Sequence, residues 1–283
     1  MLTPAEFGHI ADHFIHLHGV RKVRITGGDP TARADLPQII QRIADEHPDI
    51  DLAMSTNGLA LDRLAFSCKA AGLKRVNISL DTLDEPTFER LSGRRGVSHI
   101  IAGIDAAIAA GLTPIKLNMV VMRGINDGQL ESMVNFAADR DVVLRFIELM
   151  PMGPLADNWH HHYVPAASIR KSIEPLIRDW RQQEQGPASS RNFRVTLRDG
   201  REATLGFITP MSCNFCANCN RLRISSTGDI FPCLMDQPRG SLLPALRPVY
   251  DPELFDALLT QALAEKMAEH PHDGFAVMTG IGG

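Results

Sequence analysis

Short β-rich runs alternate with amphipathic helical patterns through the first half of the chain, and this rhythm narrows the fold more than any other feature. The runs cover 22–26, 50–55, 75–80, 115–121 and 142–147, and the helical patterns lie near 34–46, 61–71, 100–110 and 129–138. Ile39, Ile40 and Ile43 keep helical spacing, as do Ile101, Ile104 and Ile108. Repeated strand–helix units imply a parallel sheet, either open and doubly wound or closing toward a barrel. The runs end on polar or glycine signals: Thr26-Gly27-Gly28-Asp29-Pro30, Ser55-Thr56-Asn57-Gly58, Ser79-Leu80-Asp81 and Glu148-Leu149-Met150-Pro151. In either architecture a ligand site is expected at these carboxyl ends.

The chain opens with Leu2-Thr3-Pro4-Ala5-Glu6, which predicts an N-cap, a proline at the first helical position and a capping carboxylate. A helix should follow to about His18, with no strand before it, so the run 22–26 is expected at an unpaired sheet edge. After Met150 the rhythm breaks, which divides the chain into 1–150 and 151–283. Residues 151–162, with three consecutive histidines, predict a loop, in which His160–His162 read as solvated. A helix is expected near 166–178, a polar linker at 182–191, and a hairpin of 193–197 with 202–208 around Asp199-Gly200. Residues 223–225 and 230–231 flank a Thr227-Gly228-Asp229 turn, and a last helix is expected near 252–269.

Composition excludes several classes. With 283 residues, 44% hydrophobic and 22% charged, the chain has the profile of a soluble globular protein with ample core. A net charge of −4 argues against nucleic-acid binding. No apolar run reaches roughly 18 residues, so no membrane span is expected. The N-terminus lacks a signal-peptide pattern, and clustered cysteines suit a reducing cytoplasm better than a disulfide framework.

Four of the five cysteines lie between Cys213 and Cys233, and Cys216, Cys219 and Cys233 form a C-x2-C-x13-C frame. This pattern leaves two readings open: a tetrahedral zinc that also uses Cys213, or an iron–sulfur cluster on three cysteines with one iron open. Cys68 sits in a helical pattern and is expected as a small core residue. Arg221 and Arg223, just past Cys219, favour an anion. Lys22, Arg24, Lys116 and Arg145 lie inside apolar strand patterns. If they face a barrel interior they need an anionic ligand, and a polyphosphate would meet that need. Gly28 allows close backbone approach, and Asp29 offers a carboxylate to an ammonium group. The Gly282-Gly283 end reads as a frayed terminus.

Taken together, these residues resemble the GTP 3',8-cyclase family, also called molybdenum cofactor biosynthesis protein A. The matching runs are Lys22-Val-Arg24-Ile-Thr-Gly-Gly-Asp29-Pro, Ser55-Thr-Asn-Gly, Asn77-Ile-Ser79-Leu-Asp81, Lys116-Leu-Asn118, Arg145-Phe-Ile-Glu-Leu-Met150-Pro, Phe215-Cys-Ala-Asn-Cys-Asn-Arg-Leu-Arg223 and the closing Ile-Gly-Gly. They cover nearly the whole chain in family order. The resemblance implies an α/β fold: a partial (β/α)6 TIM-like barrel of the radical S-adenosylmethionine type, with a C-terminal iron–sulfur extension. It implies conversion of GTP to 3',8-cyclo-7,8-dihydro-GTP, with cyclic pyranopterin monophosphate synthase downstream and a homodimer as the assembly.

The resemblance also distributes roles. Cys216, Cys219 and Cys233 would hold a C-terminal [4Fe-4S] cluster whose open iron binds the purine. Gly28, Asp29, Ser79 and Met150 would contact S-adenosylmethionine. Lys22, Arg24, Ser55, Lys116, Arg145, Arg221, Leu222 and Arg223 would hold GTP, and Arg24, Gly282 and Gly283 would support catalysis. The family's second, N-terminal [4Fe-4S] cluster uses a C-x3-C-x2-C motif, and no cysteine precedes Cys68 here. Asp29 stands where the family usually has Glu, Ser55 where it usually has Thr, and Cys213 is an extra thiol. The expectation is a fragment, or a misplaced start, without the first strand and the radical cluster loop, and inactive alone. The rivals are a non-catalytic GTP-binding iron–sulfur protein and a zinc-ribbon structural protein.

Overall fold

The computed structural model describes residues 1–184, 189–213, 219–234, 236–264 and 266. It opens with α1 (Pro4–His18), and the predicted cap is present: Glu6 N–H donates to Thr3 Oγ1, and Thr3 N–H donates to Glu6 Oε2 at 2.7 Å. Gly19 ends the helix in the left-handed region at φ 63°. The rhythm then runs β1 (Lys22–Ile25), α2 (Leu36–Glu46), β2 (Asp51–Thr56), α3 (Leu61–Ala70), β3 (Arg75–Ser79), α4 (Glu85–Ser92), α5 (Val97–Ala109), β4 (Lys116–Val121), α6 (Leu130–Asp139) and β5 (Val143–Glu148). The second half adds α7 (Trp159–His162), α8 (Ala166–Ile173), β6 (Ile177–Gln182), β7 (Ser190–Leu197), β8 (Glu202–Ile208), β9 (Arg223–Ile224), β10 (Ile230–Phe231), α9 (Leu243–Leu246) and α10 (Pro252–Ala264).

One eight-stranded sheet runs in the order β1-β2-β3-β4-β5-β8-β7-β6. Strands β1 to β5 are parallel, and β8 joins β5 in parallel as the sixth. This is a partial (β/α)6 barrel, extended by the antiparallel strands β7 and β6. Among the described residues β1 pairs with β2 alone. The sheet passes the expected division at residue 150 without interruption, because β8 pairs with β5.

Two local expectations are corrected, and one element is added. Residues 151–162 are not a plain loop: a 3-10 turn, Gly153–Asn158, leads into α7, with His160 and His161 exposed. The helix expected to 178 stops at Ile173, because Pro175 cannot continue it, and 177–182 pairs with β7 as a strand. Helix α4 was not foreseen; Asp84 caps it by accepting from Thr87 N–H at 2.9 Å. Cys68 is fully buried in α3, as expected.

Period-two alternation gives the sheet two chemically opposite faces. Leu52, Met54, Val76, Ile78, Leu117, Met119, Leu144 and Phe146 are all buried and share one cluster with Ile39, Ile40 and Ile43 of α2, Leu61 of α3, Ile104 of α5 and Val134 of α6. A second cluster joins Leu2 and Ile10 at the start of the chain to Ile230, Leu246, Phe255 and Leu259 near its end. Arg247 Nε reinforces it by donating to Glu6 Oε1 at 2.5 Å, a bond that pulls Glu6 down to about 2.

Candidate functional site

The face opposite the helices carries the cations. Register places Lys22 beside Asp51, Arg24 beside Ala53, and Ala53 beside Arg75. Ser55 adjoins Asn77, Asn77 adjoins Lys116, and Ser79 adjoins Asn118. Asn118 adjoins Arg145, which adjoins Gly206. Neighbours across a parallel pair share a face, so Lys22, Arg24, Ser55, Ser79, Lys116 and Arg145 of the predicted set all project to one side.

Asp51 carries part of this charge: Arg75 donates to it through Nε at 2.7 Å and Nη2 at 2.8 Å, and Lys22 Nζ lies 3.5 Å away. Among the described residues no ion pair is formed by Arg24, Lys116 or Arg145. Arg145 is buried and donates from Nε to Asn118 Oδ1 at 2.9 Å. Burial, with the charges of Arg24 and Arg75, pushes it down to about 9. Burial, then Arg145, Arg75, Lys22 and Arg24, bring Lys116 down to about 8. Arg24 is lowered by its packed surroundings and by Arg75 and Arg221, although part of its side chain meets solvent. A guanidinium keeps its proton at neutral pH, so the arginines express this strain as mutual repulsion, which an anion would relieve.

Among the described residues two buried polar atoms on this face have no partner, Arg75 Nη1 and Asn77 Oδ1, while Asn77 Nδ2 donates to Ser55 Oγ at 3.2 Å. Orphans of this kind mark either cost or function. Gly206 opens room beside Arg145: a Cβ there would fall 2.9 Å from Arg145 Cγ and 2.5 Å from Ser190 Oγ. Sequence reasoning missed Asp51, Arg75, Asn77, Asn118 and Gly206 as parts of the site. The signal for Arg75 and Asn77 was their alternation with Ser79 in β3.

The strand ends behave differently. Asp29 accepts from Thr31 N–H at 2.9 Å, Thr31 Oγ1 at 2.5 Å, Thr56 Oγ1 at 3.0 Å and Asn57 N–H at 2.6 Å. Its carboxylate therefore staples the loop after β1 to the loop after β2. Gly28 and Ser79 are exposed, and Met150 is half-buried. Asp81 is pushed up to about 6 by burial, against a hydrogen bond from Val120 N–H.

The cysteine segment is tied to the sheet through Glu148, at the end of β5. This buried carboxylate accepts from Met211 N–H at 3.1 Å, Ser212 N–H at 2.9 Å and Ser212 Oγ at 2.5 Å, and also from Ala166 N–H at 2.8 Å. Strands β9 and β10 pair Arg223 with Phe231, two residues before Cys233. Their turn is held by Asp229 Oδ2, which accepts from Ser225 Oγ and Thr227 Oγ1. Burial and Arg221 lower Arg223 to about 10, while Cys219 and Cys233 oppose the shift. Burial raises the Cys219 thiol, but hydrogen bonds from Arg221 and the charges of Arg221 and Lys266 win, so it is lowered overall. A lowered thiol and adjacent cations suit a thiolate ligand set. Leu222 packs on the second cluster. Cys213 is exposed, with Arg191 Nη2 2.8 Å from its sulfur. Cys216, Gly282 and Gly283 lie outside the described residues. The two halves of the site feel each other's charge: Arg221 helps to lower Arg24, and Arg24 helps to lower Arg223.

Comparison with known proteins matches residues 1–137 to the Radical SAM superfamily and residues 142–272 to Molybdenum Cofactor Synthesis C. A GTP 3',8-cyclase of Rhodopirellula baltica is 37% identical over 279 residues, covering 96% of this chain and 76% of the relative. One from Acidothermus cellulolyticus is 42% identical over 272 residues, covering 93% and 72%. Among solved structures, Streptococcus suis SuiB aligns with a TM-score of 0.58 at 18% identity, over 94% of this chain and 60% of its own, which is a likeness of fold.

Proposed function

This chain belongs to the GTP 3',8-cyclase family of radical SAM enzymes, which serves molybdenum cofactor biosynthesis, and from that premise we propose that its cationic sheet face and cysteine segment together hold GTP for conversion to 3',8-cyclo-7,8-dihydro-GTP. The observation that carries the reading is the bank of cations on one face: Arg24, Lys116 and Arg145 form no ion pair among the described residues, and Arg75 keeps a buried donor unused. A bank of cations with two of them, Arg75 and Arg145, buried calls for a multiply charged anion, and a triphosphate supplies one.

In this reading Lys22, Arg24, Lys116 and Arg145 neutralise the phosphates. Asn77 Oδ1 and Ser55 Oγ suit sugar hydroxyls. Arg221, Leu222 and Arg223 receive the base end beside the cysteines. Cys216, Cys219 and Cys233 would ligate a [4Fe-4S] cluster whose open iron binds the purine. Gly28, Ser79 and Met150 would contact S-adenosylmethionine at the strand ends. Asp29 contributes by holding the two loops there, because its carboxylate is already engaged by four donors. S-adenosylmethionine, when cleaved, supplies the family with its 5'-deoxyadenosyl radical. The thiols for a radical-generating cluster are not among these residues: Cys68, the one cysteine before Cys213, is buried and pushed up to about 11. Catalytic roles for Arg24, Gly282 and Gly283, a downstream cyclic pyranopterin monophosphate synthase, a homodimer and a cytoplasmic setting are parts of the same proposal, resting on the family.

Calorimetric titration of the full chain, reconstituted with iron and sulfide, tests it. GTP should bind, and guanosine should bind at least about tenfold more weakly, because it cannot engage the cations. Equal affinities would remove the polyphosphate reading.

A further inference from the structure

Two histidines and a carboxylate converge away from the substrate site, where α1 meets the end of α2. Asp12 and His16 stand one turn apart on α1, with Asp12 Oδ1 3.3 Å from His16 Nε2. His47, the C-cap of α2, brings its Nε2 within 3.4 Å of the same oxygen. The three atoms all lie within 4.8 Å of one another. His47 is 7% exposed, and among the described residues its buried Nε2 has no hydrogen-bond partner. A buried imidazole nitrogen 3.4 Å from a carboxylate oxygen but without a hydrogen bond, with a second imidazole beside it, is a donor set suited to a cation.

The distances support this. Zinc binds histidine nitrogen at about 2.0–2.1 Å and carboxylate oxygen at about 2.0–2.2 Å, so neighbouring ligands of a tetrahedral ion lie about 3.3–3.5 Å apart. Both edges that meet at Asp12 Oδ1 have that length. The third edge, between the imidazoles, can close by rotation of His16, whose side chain is 65% exposed. A second trio, His13, His18 and Asp256, differs instructively. Both imidazoles there sit 2.9 Å from Asp256 Oδ1, and His13 Nδ1 lies 2.6 Å from the Tyr250 hydroxyl. Those are hydrogen-bond lengths in a satisfied network, shorter than the spacing of two ligands on one tetrahedral ion.

We propose that Asp12, His16 and His47 form a site for a divalent transition metal of the zinc class, with three protein ligands and a fourth position open to water. Its occupant would tie α1 to α2 beside the edge strand β1. Nitrogen and oxygen donors of this kind favour zinc, nickel or copper over magnesium or calcium.

Cobalt(II), a spectroscopic stand-in for zinc, tests the proposal on the full chain. Cobalt on the cysteines gives sulfur-to-metal charge-transfer absorption, whereas cobalt on nitrogen and oxygen gives ligand-field bands without it. Titration should resolve one component of the second kind. His16→Ala and Asp12→Asn should each weaken it at least about tenfold and leave the sulfur component unchanged. Both substitutions are at partly exposed side chains, so the fold should persist, as far-UV circular dichroism would verify. His18→Ala should leave both components intact. The proposal fails if no sulfur-free component appears, if it survives His16→Ala and Asp12→Asn, or if His18→Ala removes it.

Discussion

Alternate residues of the same strands spell the two faces of the parallel sheet, and the faces obey opposite rules. On the helix side Met54, Ile78, Leu117 and Phe146 are completed by other parts of the chain. On the other side Arg24, Arg75, Lys116 and Arg145 crowd together, with Asp51 paired to Arg75 and Lys22. The first face stabilises the fold outright. The second costs stability until an anion arrives, so folding and binding should respond separately, and in part oppositely, to substitution.

The largest test of that contrast is Phe146→Ala. It should destabilise by about 3–5 kcal/mol in urea unfolding, while the folded fraction keeps its affinity for GTP. A fall in affinity larger than the loss of stability would mean that the faces are not independent. Arg145→Met should weaken GTP binding about tenfold or more. The same change should leave the unliganded fold unchanged or more stable by about 1 kcal/mol. A loss of several kcal/mol would overturn the view that this face is held at a cost.

Gly206→Ala is expected to cost about 1–3 kcal/mol, because its Cβ would meet Ser190 Oγ and Arg145 Cγ. It should also weaken GTP binding by displacing Arg145, a coupling that a helix-face substitution would not show. The smallest effect is protonic. Free Lys116 titrates near 8, below its ordinary 10.5, and bound phosphate would raise it again. At a pH of about 9, GTP binding should therefore take up protons, which calorimetry in buffers of different ionisation enthalpy would read. Affinity should fall as pH rises past 8. The unliganded fold should do the reverse and gain stability from pH 8 toward 10.5, because the unfolded chain then holds more protons. Lys116→Met should remove the part of both trends that sets in near pH 8.

Much of this was legible in the chain. The capping box of Thr3 and Glu6, the five parallel strands and the alternation that sends Lys116 and Asn118 to one face follow from local sequence. Strand β6 was not legible, since its polar residues become a strand only by pairing with β7. Glu148 was visible as a residue but not as a clamp: its partners Met211 and Ser212 lie more than sixty residues away. The hydrogen bonds of Asp29 to the end of β2 and to Asn57 were likewise not legible, because they join residues 27 and 28 positions apart.

By itself the sequence determined the repeating units, the sign of the charge on each strand and the family. Those depend on period, residue type and order, which the chain carries locally. Only the tertiary structure decided which charges meet. Register brings Arg75 onto Asp51 and leaves one of its nitrogens unused, and helix packing sets His47 against Asp12 and His16. Energies between charged groups depend on separation and burial, and neither exists until the strands and helices have closed on one another.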